Sequence, residues 1–313
     1  MNQIKDNVSL SVSRLHSIVL MDICTVGLLK ERESAFNGSD ERKKKRITQL
    51  DMMVKSGKYQ FSFLVAIIEK ATDYTHVLSA EELASIFQSD YDRIVDFLGY
   101  ENMVETREFL SKMIHILMDS RFSMEERAEL SLRKSIDLLN YFNTLRVFST
   151  PAKELRFEFA KLVAAEGERL GLGKGYPTIA VCIASIYGCG EARKILKVKK
   201  DGSKFNPSNR LGDIMTFYRV AKARHMVYSR ISDVPVIFRT EDAALEDLHS
   251  YMHTRVIGEN ANEGSLMNTK CLAPDKLFPA LHKDGKCTDP NELKNLYNLL
   301  NFIIENQNNE PSV

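Results

Sequence analysis

Five residues, Ser17-Ile-Val-Leu-Met21, form a short apolar run that leads directly into an acid, Asp22. A run of this length suits a buried strand, and the following Ile23, Val26, Leu28 and Leu29 suit a turn and helix packed against it. Val234-Pro-Val-Ile-Phe238 is a second such run, and it too is followed by an acid, Asp242, at the start of helical patterning. Near the first run, the pattern predicts a charged helix over 40–54, a break at Gly57, the extended stretch Tyr59-Gln-Phe-Ser62, and a helix carrying Leu64, Ala66, Ile67, Ile68 and Glu69. The resulting β-α-α-β-α order defines an α/β protein with a short, mostly parallel sheet.

From 76 to 171 apolar residues recur at helical spacing, as at Phe109, Met113, Ile116 and Leu117 and again at Leu132, Ile136 and Leu139. No strand is expected there. Three glycines and a proline between 171 and 177 mark a loop, and helical patterning resumes over 179–196. Residues 197–210 are basic and turn-rich, Asp213 opens a helix to about Tyr228, and another helix runs over 241–252. Four segments follow: 14–75 as the first part of a core, 76–171 as an all-helical insertion, 172–258 as the second part, and 259–313 as a polar segment with a final helix at 290–304.

The chain has 313 residues, enough for one large or two ordinary domains with a sizeable core. Its five cysteines are odd in number and lack the close pairing of a zinc ribbon or redox motif, which points to free thiols in a reducing compartment. Residues 1–13 are polar, and no apolar run approaches the roughly 20 residues of a membrane span. The expected location is the cytoplasm, with no membrane partner. The net charge of +1 is unevenly spread. Residues 76–150 carry 13 acids against 8 bases (net −5), and residues 151–258 carry 12 against 18 (net +6). A polyanion would be drawn to the second segment and repelled by the first.

Asp22 and Asp242 lie just past strand ends, Glu69 lies on a helix and Asp213 at a helix start, all positions that an open α/β sheet can use at the carboxyl ends of its strands. Carboxylates converging there repel one another unless a cation sits among them. Hard oxygen donors select Mg²⁺ or Mn²⁺.

Four stretches resemble the PIN-like nuclease family: Ile18-Val-Leu-Met-Asp22, Phe61-Ser-Phe-Leu-Val-Ala-Ile-Ile-Glu69, Asn209-Arg-Leu-Gly-Asp213-Ile, and Val234-Pro-Val-Ile-Phe-Arg-Thr240-Glu-Asp242. The last, a strand ending in threonine, one residue and aspartate, is the most specific. The resemblance implies a three-layer α/β/α core and metal-dependent hydrolysis of a phosphodiester, commonly in RNA. Under it Asp22, Glu69, Asp213 and Asp242 are catalytic metal ligands, and Thr240 orients them. The sequence departs from the compact pattern in the 143 residues between Glu69 and Asp213, in the 28 between Asp213 and Asp242, and in Ile23-Cys24 where many members carry a polar pair. A haloacid-dehalogenase-type phosphotransferase also begins with an aspartate after an apolar strand, but it needs a second acid two residues on, where Cys24 stands.

Other motifs have blander readings. His249 and His253 lack the glutamate of a metalloprotease helix and are expected to be a surface pair. Cys271, His282 and Cys287 lack a fourth zinc ligand, and Gly171-Leu-Gly-Lys-Gly175 lacks the ending of a P-loop. The run Arg42-Lys-Lys-Lys-Arg46 reads first as a solvated helix face. Its alternative, with Lys43, Lys44, Lys45, Lys199 and Lys200 holding a phosphate backbone over the acidic centre, makes nucleic acid the expected partner, RNA favoured. The acidic insertion is expected either to recognise a protein partner or to limit access, and self-association stays open. A structure-selective DNA nuclease and a non-catalytic adaptor of the same fold are the alternatives.

Overall fold

The structure is a computed structural model and describes residues 17–73, 76, 78–118, 132–198, 205–231, 234–260 and 264–302. Three strands, β1 (Ser17–Met21), β2 (Tyr59–Ser62) and β3 (Val236–Arg239), form a parallel sheet in the order β2-β1-β3. Ile18 lies opposite both Gln60 and Val236, so the first apolar run is the central strand. A central parallel strand is covered on both faces, which is why β1 reads as continuous rather than alternating hydrophobicity.

The two-residue period of β1 divides its side chains between two clusters. Val19 and Met21 join Phe61 and a helical layer built from α1 (Ile23–Lys30), α2 (Arg32–Asn37), α3 (Glu41–Ser56), α4 (Leu64–Ala71), α5 (Ala80–Leu98) and α6 (Arg107–Leu117). Ile18 and Leu20 instead meet Val65, Val236, and Val220 and Ala223 of the long helix Pro207–Tyr228. Helix ends follow local chemistry: Asp40 accepts the N–H groups of Arg42 and Lys43 to begin α3, and Gly57, at φ +63°, ends it.

The remaining helices are α7 (Leu132–Thr144), α8 (Lys153–Arg169), α9 (Pro177–Ile186), α10 (Gly190–Leu196), α11 (Pro207–Tyr228), α12 (Ala243–Tyr251), α13 (Pro274–Leu277) and α14 (Pro290–Leu300). They share the largest core, centred on α9, all ten of whose residues are buried. The expected helical segment 76–171 therefore contributes to two cores. Its α5 and α6 pack with residues 19–71, while α7 and α8 pack with α9 to α12 and the C-terminal helix. Helical periodicity shows that a face must be buried, but not against which partner.

Two further expectations change. The sequence marks 259–313 as polar with one helix, yet β4 (Met252–Asn260) and β5 (Gly264–Cys271) form an antiparallel hairpin across the expected boundary at 258. Thr254 and Thr269, which look merely polar in sequence, are buried and share a 3.1 Å hydroxyl contact, and Thr269 also donates to the Gly175 carbonyl. A short pair, β6 (His282–Lys283) and β7 (Lys286–Cys287), follows. Asp213 does not open its helix either. Pro207 does, with Asn206 as the cap, and Asp213 lies in the second turn.

Candidate active site

The sheet brings residues far apart in the chain to the carboxyl ends of its strands. Asp22 follows β1 directly and caps α1, accepting the Thr25 N–H at 2.8 Å. Its backbone N–H and the Thr25 hydroxyl both donate to the Arg239 carbonyl at the end of β3. Thr240 comes next. Its hydroxyl bonds the Asp22 carboxylate and also accepts the Asp242 N–H at 3.0 Å. Asp242 in turn caps α12, accepting the Leu245 N–H at 3.0 Å. The threonine thus ties two of the expected acids together.

Glu69, near the end of α4, turns back toward β1, and its Oε2 accepts the Ile23 N–H at 3.4 Å. Its other oxygen is 3.7 Å from where a Cβ on Gly212 would stand, which sets it against α11 beside Asp213. Arg219, buried on the same helix, faces Glu69 and donates to the Thr72 hydroxyl at 2.9 Å and to the Gly212 carbonyl at 3.3 Å.

Burial raises three of these acids. The Asp22 carboxyl is pushed up to about 6, although hydrogen bonds from Thr240 and Thr25 oppose the shift. Glu69 is raised to about 7 by burial and by Asp22 and Asp213, against the pull of Arg219. Asp213 is raised to about 6 by burial and by Asp242, against Lys197 and Arg210. Cys24, on the first turn of α1, feels all four acids, and its thiol is pushed far up by partial desolvation and by Asp22, Glu69, Asp213 and Asp242. Positions 22, 69, 213 and 242 therefore share one electrostatic neighbourhood. Their all-oxygen chemistry fits a hard divalent cation. Among the described residues, however, no group of three or more His, Cys, Asp or Glu stands as a ready metal cage.

The basic residues divide. Lys43 pairs with Glu31 at 3.5 Å and Lys44 with Glu41 at 2.9 Å, both on the surface, while Lys45 is exposed. Lys199 and Lys200 lie outside the described residues. Arg42 and Arg46, from the same run, reach the turn that carries Thr240, so this helix face is not solvated throughout. Lys197 and Arg210, which act on Asp213, belong to the basic stretch that the sequence places just ahead of it, whereas sequence reasoning missed Arg219 and Cys24 as neighbours of the acids, since nothing in the local pattern distinguishes them from other charged or small residues. His249 is half-buried rather than a surface residue. Its ring stacks on Phe217 at 3.8 Å and bonds the Thr216 hydroxyl at 2.8 Å, and burial drives its pKa well below the usual value. His253 lies beyond the helix, on β4.

No protein-family model matches the sequence, and no curated protein or solved structure matches it either. No helix among the described residues is long and apolar enough to cross a membrane.

Proposed function

We propose that this chain is a metal-dependent endonuclease with a PIN-like three-layer α/β/α core, hydrolysing phosphodiester bonds with RNA as the favoured substrate. One observation carries the reading: Asp22, Glu69, Asp213 and Asp242, scattered over 220 residues, act on one another and on Cys24 at the carboxyl ends of parallel strands. Helix capping accounts for one oxygen each of Asp22 and Asp242 but not for so much negative charge gathered around them, because a buried carboxylate without a cation is costly.

Asp22, Glu69, Asp213 and Asp242 would hold Mg²⁺ or Mn²⁺, which would supply activation of water and neutralisation of charge on the phosphate. The chain's own groups do the rest. Asp22, held by Thr25 and Thr240, has a fixed orientation, and Arg219 restrains Glu69. Arg210 and Lys197, on the Asp213 side, offer positive charge to a phosphodiester, and Lys43, Lys44 and Lys45 offer more along its backbone.

Labelled RNA and DNA incubated with Mn²⁺ or EDTA test the proposal. RNA cleavage that requires Mn²⁺ and disappears in Asp22→Asn is the expected result. Cleavage confined to structured DNA would transfer the reading to a DNA nuclease, and binding without cleavage would make the chain an adaptor.

A further inference from the structure

The turn between β3 and α12 supplies Thr240 and Asp242, yet those two residues do not hold themselves in place. Thr240 gives its hydroxyl to the Asp22 and Asp242 contacts, and its backbone carbonyl has a separate anchor. That anchor comes from α3, nearly 200 residues earlier. The Arg46 guanidinium donates to the Thr240 carbonyl at 2.5 Å through Nη2, to Glu241 at 2.7 Å through Nε and to Glu246 at 2.8 Å through Nη1. All three hydrogen-bonding nitrogens of one side chain are committed to the residues around Thr240. Arg239 completes the arrangement, donating to Glu241 at 3.2 Å and to the Arg46 carbonyl at 2.9 Å, and Arg42 donates to the Glu241 carbonyl at 3.0 Å.

The Arg46, Arg239 and Glu241 side chains are only 10–15% exposed. Bonds between ionised groups sheltered to this degree are short, directional and stronger than surface pairs, and a planar fork meeting three acceptors fixes orientation as well as distance. Glu241 also needs this compensation for the sake of the site, because its charge acts on Asp22.

We propose that Arg46 is a positioning residue for the carboxylate site: it clamps the 240–242 turn from the α3 side, so that Thr240 and Asp242 face Asp22. The basic run 42–46 is thereby divided by function. Its two arginines build the site's frame, and its lysines remain at the surface. The assignment rests on the metal-site reading for its catalytic consequence, but the clamp itself is independent of any cation.

The test uses the full chain with Arg46→Met, which keeps the stem and removes the fork, and Arg46→Lys, which keeps charge but cannot meet three acceptors. Two measurements are made where circular dichroism shows native signal. The first is hydrogen exchange at the Asp242 and Leu245 amides in metal-free buffer, and the second is Mn²⁺ affinity by calorimetry. In Arg46→Met, exchange at both amides should quicken at least tenfold while amides of α9 keep their protection, and Mn²⁺ should bind about tenfold more weakly. Arg46→Lys should fall between Met and wild type. If the methionine variant does not fold, the lysine variant carries both measurements. Unchanged exchange at 242 and 245 would overturn the clamp, and equal Mn²⁺ affinity in wild type and folded variants would overturn the role of Arg46 in positioning the carboxylate site. If the wild-type chain binds no Mn²⁺, the metal-site reading falls, and the exchange rates alone decide whether Arg46 holds the turn.

Discussion

Asp22 has two duties that its own chemistry sets against each other. It caps α1, which an ionised or neutral side chain can do, and it sits buried among other acids, which favours the neutral form. The folded chain therefore binds Asp22's proton more tightly than the unfolded chain does, since the carboxyl moves from 3.8 to about 6. Native protein binds more protons between these values, so the contribution to metal-free stability is most favourable below about pH 4 and declines as pH rises through about 6. Asp22→Asn retains a good capping side chain and removes the charge. In EDTA at pH 7.5 it should match or exceed wild type, by on the order of 1–3 kcal/mol, with the gap closing toward pH 4. Urea unfolding of both proteins across that range checks this, and a large loss in the variant would mean that the charged carboxylate is structural.

Among the elements, the junction of β2 with α4 decides where Glu69 is carried. It is held by a residue from a distant turn: Glu105 accepts the Ser62 hydroxyl at 2.5 Å and the Phe63 N–H at 3.1 Å. Burial raises the Glu105 carboxyl to about 7 despite these bonds, so its hydrogen bonding matters more to the fold than its charge. Glu105→Ala leaves buried donors without acceptors and should cost about 1–3 kcal/mol. Glu105→Gln preserves an acceptor for Phe63 without a charge, and at pH 8 it should be no less stable than wild type. Denaturant midpoints of the two variants, compared at that pH, separate the bond from the charge. Glu105 lies 36 residues after Glu69 in an otherwise helical stretch, where its sequence neighbourhood suggests only a surface acid.

Over the whole molecule, the candidate ligands link segments as far apart as Asp22 and Asp242, and a cation that binds them binds only the folded chain. Mn²⁺ at a hundredfold excess over its dissociation constant should then raise the unfolding free energy by about 2.7 kcal/mol. Asp22→Asn should lose most of that increment, as urea titrations with and without the cation will show. Much of this arrangement was legible in the sequence. Continuous apolar runs ending in acids announce buried parallel strands with polar groups at their carboxyl ends, because this is a short-range consequence of side-chain period, whereas the cap that Asp242 gives its helix is visible only in the structure. Which helices cover which face was not legible, and so residues 76–171 were read as one insertion although they serve two cores. The hairpin Met252–Cys271 was hidden for a related reason. Its buried threonines are polar in the chain and become interior only through their mutual bond and the Gly175 carbonyl. Arg46 and Arg219 are ordinary cations in sequence, and only tertiary packing, which excludes water and brings remote acceptors within bonding distance, decides that one holds the Thr240 turn and the other faces Glu69.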